Sequence, residues 1–187
     1  MKVVAIVGSP RKNGNTEMLT SHTLKSIAEE GVETELISLA GKEIKPCNVC
    51  MACEESGECV IQDDFLPVFN KMIEADGIIL ASPVYFGSCT ALLKALMERA
   101  GWLSGPDRRP FNLKVGGPLV VARRAGQNFT VAEINFWFHI MGMIIPGSTY
   151  WNIATGWQQG EVANDEEGLR TAWNFGKNMA FVMKKIA

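Results

Sequence analysis

The sequence predicts an α/β fold of one domain, in which helices cover a doubly wound, five-stranded parallel sheet. Short β-branched runs alternate with segments whose apolar residues recur at helical spacing. Polar, glycine-containing loops follow several of these runs, at the edge where such sheets bind ligands. The length of 187 residues, with 47% hydrophobic and 20% charged residues, is typical of a single globular domain spanning residues 1–187.

The first half of the chain is predicted to contain three strands and two helices. Residues 2–7 are apolar on both faces, which indicates a central strand. Residues 15–30 have helical spacing and end before Gly31, a residue that favours the end of a helix. Strands are predicted at 34–39 and 77–81. Between them, Asp64 is predicted to cap a helix with the apolar residues Phe65, Phe69, Met72 and Ile73.

The second half is predicted to continue the alternation. A helix containing Leu92, Leu93, Leu96 and Met97 precedes a strand at 118–122. A helix at 130–141 closes at Gly142, and a fifth strand is predicted at 148–153. The last helix is amphipathic and starts at Asn164 or Asp165, with its apolar face made of Leu169, Ala172, Trp173, Gly176, Ala180 and Met183.

Composition excludes several classes of function. Eighteen Lys and Arg against twenty Asp and Glu give a net charge of −2, so we expect neither a nucleic acid nor a membrane as partner. The longest apolar run, residues 136–145, is about half of the ~20 residues that span a bilayer. The short apolar run after Met1 does not resemble a signal peptide, so we expect a cytoplasmic protein whose five cysteines are reduced.

The loop at residues 8–16 has the composition of a phosphate site. It supplies hydroxyls, amides and two cations immediately before a predicted helix N-terminus, where unpaired N–H groups and the helix dipole attract anions. It contains neither the Walker ending nor the G-x-G-x-x-G pattern of dinucleotide sites. An ordinary polar loop with a capping Asn or Thr is the alternative interpretation.

Two further loops follow predicted strands at the same edge. Residues 82–88 combine a proline, two aromatic residues and a glycine, so a flat ring could lie against them, although aromatic residues beside a strand are more often part of the core. Residues 123–128 begin with two arginines, which would favour the anionic reduced form of a flavin or would otherwise be solvated surface charge.

Four cysteines form a compact C-x2-C-x2-C-x5-C motif at Cys47, Cys50, Cys53 and Cys59. This spacing is similar to the C-x2-C-x2-C run of bacterial ferredoxins and indicates an iron-sulfur cluster. Structural zinc sites more often use two separated C-x2-C pairs, and a thiol-disulfide relay would leave two cysteines without a role. Both remain alternatives, whereas Cys89 lies apart and is interpreted as a buried apolar residue.

The three loops together resemble the flavodoxin-like FMN reductase family over essentially the whole chain. The resemblance rests on Gly-Ser-Pro-Arg-Lys-Asn-Gly-Asn-Thr at 8–16, Ser-Pro-Val-Tyr-Phe-Gly at 82–87 and the third loop at 123–128. Where many relatives have a glycine pair in the third loop, this chain has Ala125 and Gly126. The resemblance implies a phosphate site at Ser9, Arg11, Asn13, Asn15 and Thr16, and ring contacts from Pro83, Val84, Tyr85, Phe86, Gly87, Arg124 and Gly126.

With the cysteine motif included, the sequence is similar to the iron-sulfur flavoproteins. That resemblance implies a [4Fe-4S] cluster in an insertion at about residues 41–63, after the second strand of a flavodoxin-like sheet. It also implies a homodimer or homotetramer, because in those proteins the cluster of one subunit approaches the flavin of another.

The expected function is electron transfer from a ferredoxin-like donor through the cluster and FMN to a quinone, peroxide or dioxygen. Two alternatives stay open. One is an NAD(P)H-dependent FMN or quinone reductase with zinc or no metal at the cysteines, and the other is a non-enzymatic electron carrier or redox sensor. No residue is predicted to be catalytic, and His22 and His139 are expected to serve in the core or at the surface.

Overall fold

The computed structural model describes residues 1–105 and 107–187 and confirms the predicted α/β class. Five parallel strands have the order β2-β1-β3-β4-β5. The strands are β1 (Lys2–Val7), β2 (Glu33–Ser38), β3 (Gly77–Pro83), β4 (Val115–Ala122) and β5 (Ile153–Thr155). The helices are α1 (Asn15–Glu29), α2 (Ala52–Ser56), α3 (Phe65–Glu74), α4 (Ala91–Ser104), α5 (Gln127–Ile140) and α6 (Glu166–Ile186), with a short 3₁₀ helix at Glu161–Asn164.

Alternate residues of the central strands enter two separate cores, one on each face of the sheet. Val4 and Ile6 of β1 pack on the side of α3, α4 and α5. Val3 and Val7 of the same strand pack on the side of α1 and α6. A strand buried on both faces has no polar face, which explains the uninterrupted apolar run of β1.

The fifth strand is shorter and later than the predicted 148–153. The edge of β4 is first bridged by Ile144, and the chain pairs with β4 again only at Ile153. Between these points the Ser148 hydroxyl donates to the Thr171 carbonyl at 2.6 Å, and Trp151 is exposed. Tyr150 and Trp151 of the predicted strand therefore belong to a surface segment.

Asp64 occupies the predicted N-cap position of α3, but a neighbour does the capping. The Asp64 carboxylate accepts from the Glu43 N–H at 2.7 Å, whereas Asp63 accepts from the Phe65 N–H at 3.0 Å. These two carboxylates fasten both ends of the long connection between β2 and α3, residues 39–64, which contains α2 and the four-cysteine motif. The predicted cap of the last helix is confirmed at Asp165, which accepts from Gly168 N–H at 2.9 Å.

We predict that Gly8→Ala destabilises the fold. A Cβ at Gly8 would lie 2.6 Å from the Leu93 Cβ, so the start of α4 would have to move away from β1. Such overpacking costs about 1–3 kcal/mol, to be measured as the free energy of unfolding in urea. Gly147→Ala is the control, because a Cβ there would meet no described heavy atom within 4 Å. Equal stabilities of the two variants would contradict the prediction.

Candidate functional site

The loops after β1 and β3 meet at the carboxyl edge of the sheet. The Gly8 N–H donates to the Ala81 carbonyl at 2.7 Å, which continues the β1–β3 pairing by one residue. Thr90 then joins both loops, because its hydroxyl donates to the Gly8 carbonyl at 2.7 Å and its N–H donates to the Ser82 hydroxyl at 3.1 Å. Thr90 is also the N-cap of α4, so this helix is fixed to the site at its first residue.

The first loop presents an open helix N-terminus. Within residues 1–105 and 107–187, no side chain caps α1, whose N-cap residue is Gly14. The hydroxyl of Thr16 is in the first turn of α1, where the residue is 3% exposed, and the Ser9 hydroxyl accepts from the Arg11 N–H at 3.2 Å. The free N–H groups and the dipole of α1 suit a phosphate.

A cleft at this edge brings together seven of the residues predicted for the cofactor. They are Ser9, Arg11, Asn15, Thr16, Pro83, Val84 and Tyr85. Five other predicted residues do not line the cleft: Asn13, Phe86, Gly87, Arg124 and Gly126. The cleft is completed by residues that the sequence analysis did not select, Gly14, Val121, Arg123, Gly156, Trp157 and Gln159.

Trp157 is the main feature that the sequence analysis missed. Two guanidinium groups lie over its ring, with the Cζ of Arg123 at 5.0 Å and the Cζ of Arg11 at 5.7 Å from the ring centroid. It follows directly after β5, so it belongs to a fourth loop at the same strand edge. A correct placement of β5 would have been the signal for it.

The side chain of Asn15 holds this fourth loop against the first. Its Nδ2 donates to the Gln158 carbonyl at 2.8 Å, and its Oδ1 accepts from the Gly160 N–H at 2.8 Å. A Cβ at Gly156 would lie 2.9 Å from the same Nδ2, so glycine permits this approach. Asn15 therefore shapes the wall of the cleft through its amide.

The loop at residues 82–88, here called the ring loop, ends in a tight turn closed by two hydrogen bonds between Tyr85 and Ser88, at 2.9 and 3.1 Å. Its central residues, Phe86 and Gly87, have φ values of +53° and +82°, as a type I′ turn requires. Positive φ is unusual for phenylalanine, and such strain clusters at functional sites. The Phe86 side chain is fully exposed at the tip.

The carboxylate of Glu133 in α5 anchors this turn. Its Oε2 accepts from the Ser88 hydroxyl at 2.8 Å and from the Cys89 N–H at 3.1 Å, and its Oε1 pairs with Lys94 at 3.2 Å. Burial by itself raises the pKa of Glu133, but these hydrogen bonds outweigh it and hold the pKa below its ordinary value. The carboxylate is thus ionised at neutral pH.

The third loop supports the ring loop through its backbone. Gly126 has a φ of +93°, and a Cβ on it would lie 3.0 Å from Val84 Cγ1 and 3.4 Å from Gly87 Cα. Arg124 is exposed, and Arg123 is the arginine of this loop that lines the cleft.

The four motif cysteines line a second, largely apolar cavity. Cys47, Cys50, Cys53 and Cys59 share its wall with Arg99, Trp102 and Leu103 of α4. In the part of the chain that the structure describes, no group of three or more His, Cys, Asp or Glu side chains is arranged to hold a metal ion. The thiols line this cavity without being gathered on one point.

The backbone of the cysteine motif is strained at two positions between its cysteines. Val49 and Met51 have φ values of +55° and +62°, and positive φ is a genuine outlier for a β-branched residue such as valine. The Val49 N–H donates to the Cys47 sulfur at 3.4 Å. Backbone N–H groups directed at sulfur and strained backbone are both features that suit ligation of a cluster.

The thiols of the motif differ from Cys89 in their surroundings. Burial raises the pKa of Cys53, and Cys59, Cys47 and Cys50 raise it further, because thiolates so close together repel one another. A bound cationic centre would relieve this repulsion. Burial and then Glu133 raise the pKa of Cys89 to about 12, so this thiol is inert at neutral pH.

This fold, with its cleft at the carboxyl edge of the sheet, defines a flavin-binding redox protein of the flavodoxin-like class. The chain belongs to the NADPH-dependent FMN reductase family, which matches residues 1–158, and within it to the iron-sulfur flavoproteins. It is an FMN-dependent oxidoreductase.

Among the described residues, no helix is both long and apolar enough to cross a membrane.

Relatives that match the full length of this chain are also described as iron-sulfur flavoproteins. The chain is 48% identical to an iron-sulfur flavoprotein of Methanocaldococcus jannaschii, covering 100% of this chain and 99% of the relative. It is 38% identical to the iron-sulfur flavoprotein of Methanosarcina thermophila, covering 100% and 97%.

Solved structures share the fold at low identity. RosB with bound 8-demethyl-8-formylriboflavin 5′-phosphate superposes with a TM-score of 0.78 at 18% identity, covering 100% of this chain and 80% of that one. A flavodoxin from the domain Archaea has a TM-score of 0.66 at 15% identity, covering 98% and 99%.

We predict that Glu133→Gln loosens the Tyr85–Ser88 turn and weakens FMN binding. A hydrogen bond to a charged group contributes about 1.5–3 kcal/mol, so the dissociation constant of FMN rises by about tenfold or more, measured by quenching of flavin fluorescence. Since the pKa of Glu133 is lowered by folding, its contribution is present above the ordinary glutamate range. That contribution is lost as the pH falls through the lowered pKa.

Glu74→Gln, at an exposed position at the end of α3, is the matched control. If both variants bind FMN as the parent chain does, the anchoring role of Glu133 is wrong.

Proposed function

We propose that this chain passes electrons from a ferredoxin-like donor, through a [4Fe-4S] cluster and FMN, to a small acceptor such as a quinone, a peroxide or dioxygen. The observation that carries the proposal is that all four motif cysteines line one cavity, while a separate cleft offers an anion-binding helix N-terminus. Both sites contact α4, the cleft at Thr90 and the cavity at Arg99.

The residues predicted for the cofactor have complementary tasks in this proposal. The α1 N-terminus, with Ser9, Arg11, Asn13 and Thr16, would hold the FMN phosphate. Asn15 would contribute its backbone N–H, because its side-chain amide binds the fourth loop. Backbone groups of residues 83–87 would meet the polar edge of the ring, and Arg124 and Gly126 would support that loop. Arg123 adds a cation and Trp157 an apolar wall at the opposite side of the cleft.

A bound flavin stores two electrons and can release them one at a time, and a cluster moves one. The protein must therefore hold both groups at fixed positions and keep the cysteine cavity apolar. Trp102 and Leu103 of α4 line the cysteine cavity and keep it apolar.

A homodimer or homotetramer is part of the proposal. Along α4, the nine residue steps from Thr90 to Arg99 span about 14 Å at ~1.5 Å per residue, so the two sites of one chain are well separated. Exposed apolar side chains on one surface of α5, Phe129, Phe136 and Ile140, support association with a second copy. In such an assembly the cluster of one subunit would approach the flavin of its partner.

Direct hydride transfer from NAD(P)H is the second candidate function. It is favoured by the family description, NADPH-dependent FMN reductase. Rapid flavin reduction by NADPH at a rate unaffected by loss of the cysteine motif would make it the better account.

We predict that Cys50→Ala abolishes cluster binding and leaves FMN in place, because the two sites use different loops. Iron and flavin analysis on protein purified without oxygen measures both. Cys89→Ala is the matched control and retains iron, since Cys89 is buried away from the cavity. Normal iron content in Cys50→Ala would contradict the assignment of Cys50 as a cluster ligand.

We predict that Thr16→Ala weakens FMN binding by about 1–3 kcal/mol without removing iron, through loss of a hydrogen bond to the phosphate. Thr23→Ala is the control in the same helix, because its buried hydroxyl donates to the Leu19 carbonyl at 3.1 Å instead. Titration with FMN measures both affinities. An unchanged affinity in Thr16→Ala would remove Thr16 from the site.

A further inference from the structure

Arg99 is a buried arginine whose guanidinium reaches the cysteine cavity. Its side chain is 1% exposed and pairs with Asp63, with 2.5 Å between Nη1 and Oδ2. Nη1 also donates to the Lys45 carbonyl at 3.3 Å. Nη2 donates to the Ile61 carbonyl and to the Cys59 sulfur, both at 3.2 Å. The two ends of the guanidinium therefore serve different partners.

A gain in the free energy of unfolding does not explain why this ion pair is buried. Taking two charges out of water costs several kcal/mol, and apolar side chains of similar volume often stabilise a fold as well or better. The Arg99 Nε is buried and has no partner among the described residues. The guanidinium lies 4.1 Å from the centroid of Phe65, whose ring supports it from one face.

Asp63 holds the guanidinium in one orientation. Burial raises the pKa of Asp63, but the hydrogen bonds from Arg99 and from the N–H groups of Lys45 and Phe65 outweigh it, so the pKa lies below its ordinary value. The carboxylate is thus charged and fixed by the backbone at two points. It fixes Nη1 and leaves Nη2 directed at Cys59.

Cys59 is the motif cysteine that most needs an external support. Cys47 and Cys50 flank the positive-φ residues Val49 and Met51, and Cys53 lies in α2, whereas Cys59 follows α2 and the positive-φ residue Gly57. In the described part of the chain, Arg99 is the only arginine that donates to a cysteine sulfur.

We propose that Arg99 is a positioning residue that orients Cys59 as a cluster ligand and, through its N–H···S hydrogen bond, raises the reduction potential of the cluster. This inference rests on the proposed function, since it assumes a cluster at the four cysteines. Reduction adds negative charge to the cysteine sulfurs, so a cationic donor stabilises the reduced state more than the oxidised one.

Arg99→Lys is the variant that tests the proposal. Lysine keeps the charge opposite Asp63 but lacks the fork that serves Asp63 and Cys59 together. We expect a lower midpoint potential of the cluster in a redox titration followed by electron paramagnetic resonance, and faster loss of iron to a ferrous chelator. Arg108→Lys is the matched control, because Arg108 donates to the Cys53 carbonyl at 3.0 Å and not to a sulfur. Its potential is expected to equal that of the parent chain.

A second measurement does not depend on a change at Arg99. The Arg108→Lys chain is produced with ¹⁵N-arginine, and pulsed electron paramagnetic resonance of the reduced protein then detects nitrogen close to the cluster. We expect a ¹⁵N coupling from Arg99. Absence of this coupling would overturn the proposal even if Arg99→Lys failed to hold iron.

The outcomes separate this inference from the proposed function. If the parent chain holds no iron-sulfur cluster, both fail. If it holds a cluster whose potential is the same in Arg99→Lys, only the role of Arg99 fails. A lowered potential in Arg99→Lys alone, with the ¹⁵N coupling present, supports the proposal.

Discussion

The parallel pairing of β1 with β3 is the constraint on which both sites depend. β2 lies beyond β1 and β4 beyond β3, so the chain leaves these two central strands in opposite directions. The helix after β1 packs into one core and α4 packs into the other. The loops therefore part at the carboxyl edge and leave a cleft between them, which is where sheets of this order bind their ligand. The Gly8–Ala81 and Thr90–Gly8 hydrogen bonds hold the two loops in register there.

The helix α4 links this cleft to the cysteine cavity. Its first residues are tied to the loops after β1 and β3, and its third turn carries the guanidinium that contacts Cys59. A helix is stiff over this length, so the separation of the two sites within one chain is set by the number of residues between Thr90 and Arg99. Changes in the cysteine segment need not disturb the cleft, because the two sites are lined by different loops.

Local patterns in the sequence were sufficient for most of the fold and for part of the site. The strands β1 and β3 and the caps at Gly31 and Asp165 depend on residues near in sequence, and they were predicted correctly. The fifth strand was misplaced because Tyr150 and Trp151 favour a strand but lie at the surface. Trp157 was missed for that reason. Arg99 was missed because a single arginine in an apolar helix resembles a surface charge, and its partners Lys45 and Cys59 are distant in sequence.

The presence of both a cluster and FMN is tested most directly by an ultraviolet-visible spectrum, with iron, zinc and flavin analysis, on protein purified without oxygen. We expect flavin bands over a broad iron-sulfur absorption, with about one FMN and about four irons per chain. Flavin with zinc or with no metal would contradict the assignment of the four cysteines, while the proposed FMN site at the carboxyl edge of the sheet would stand.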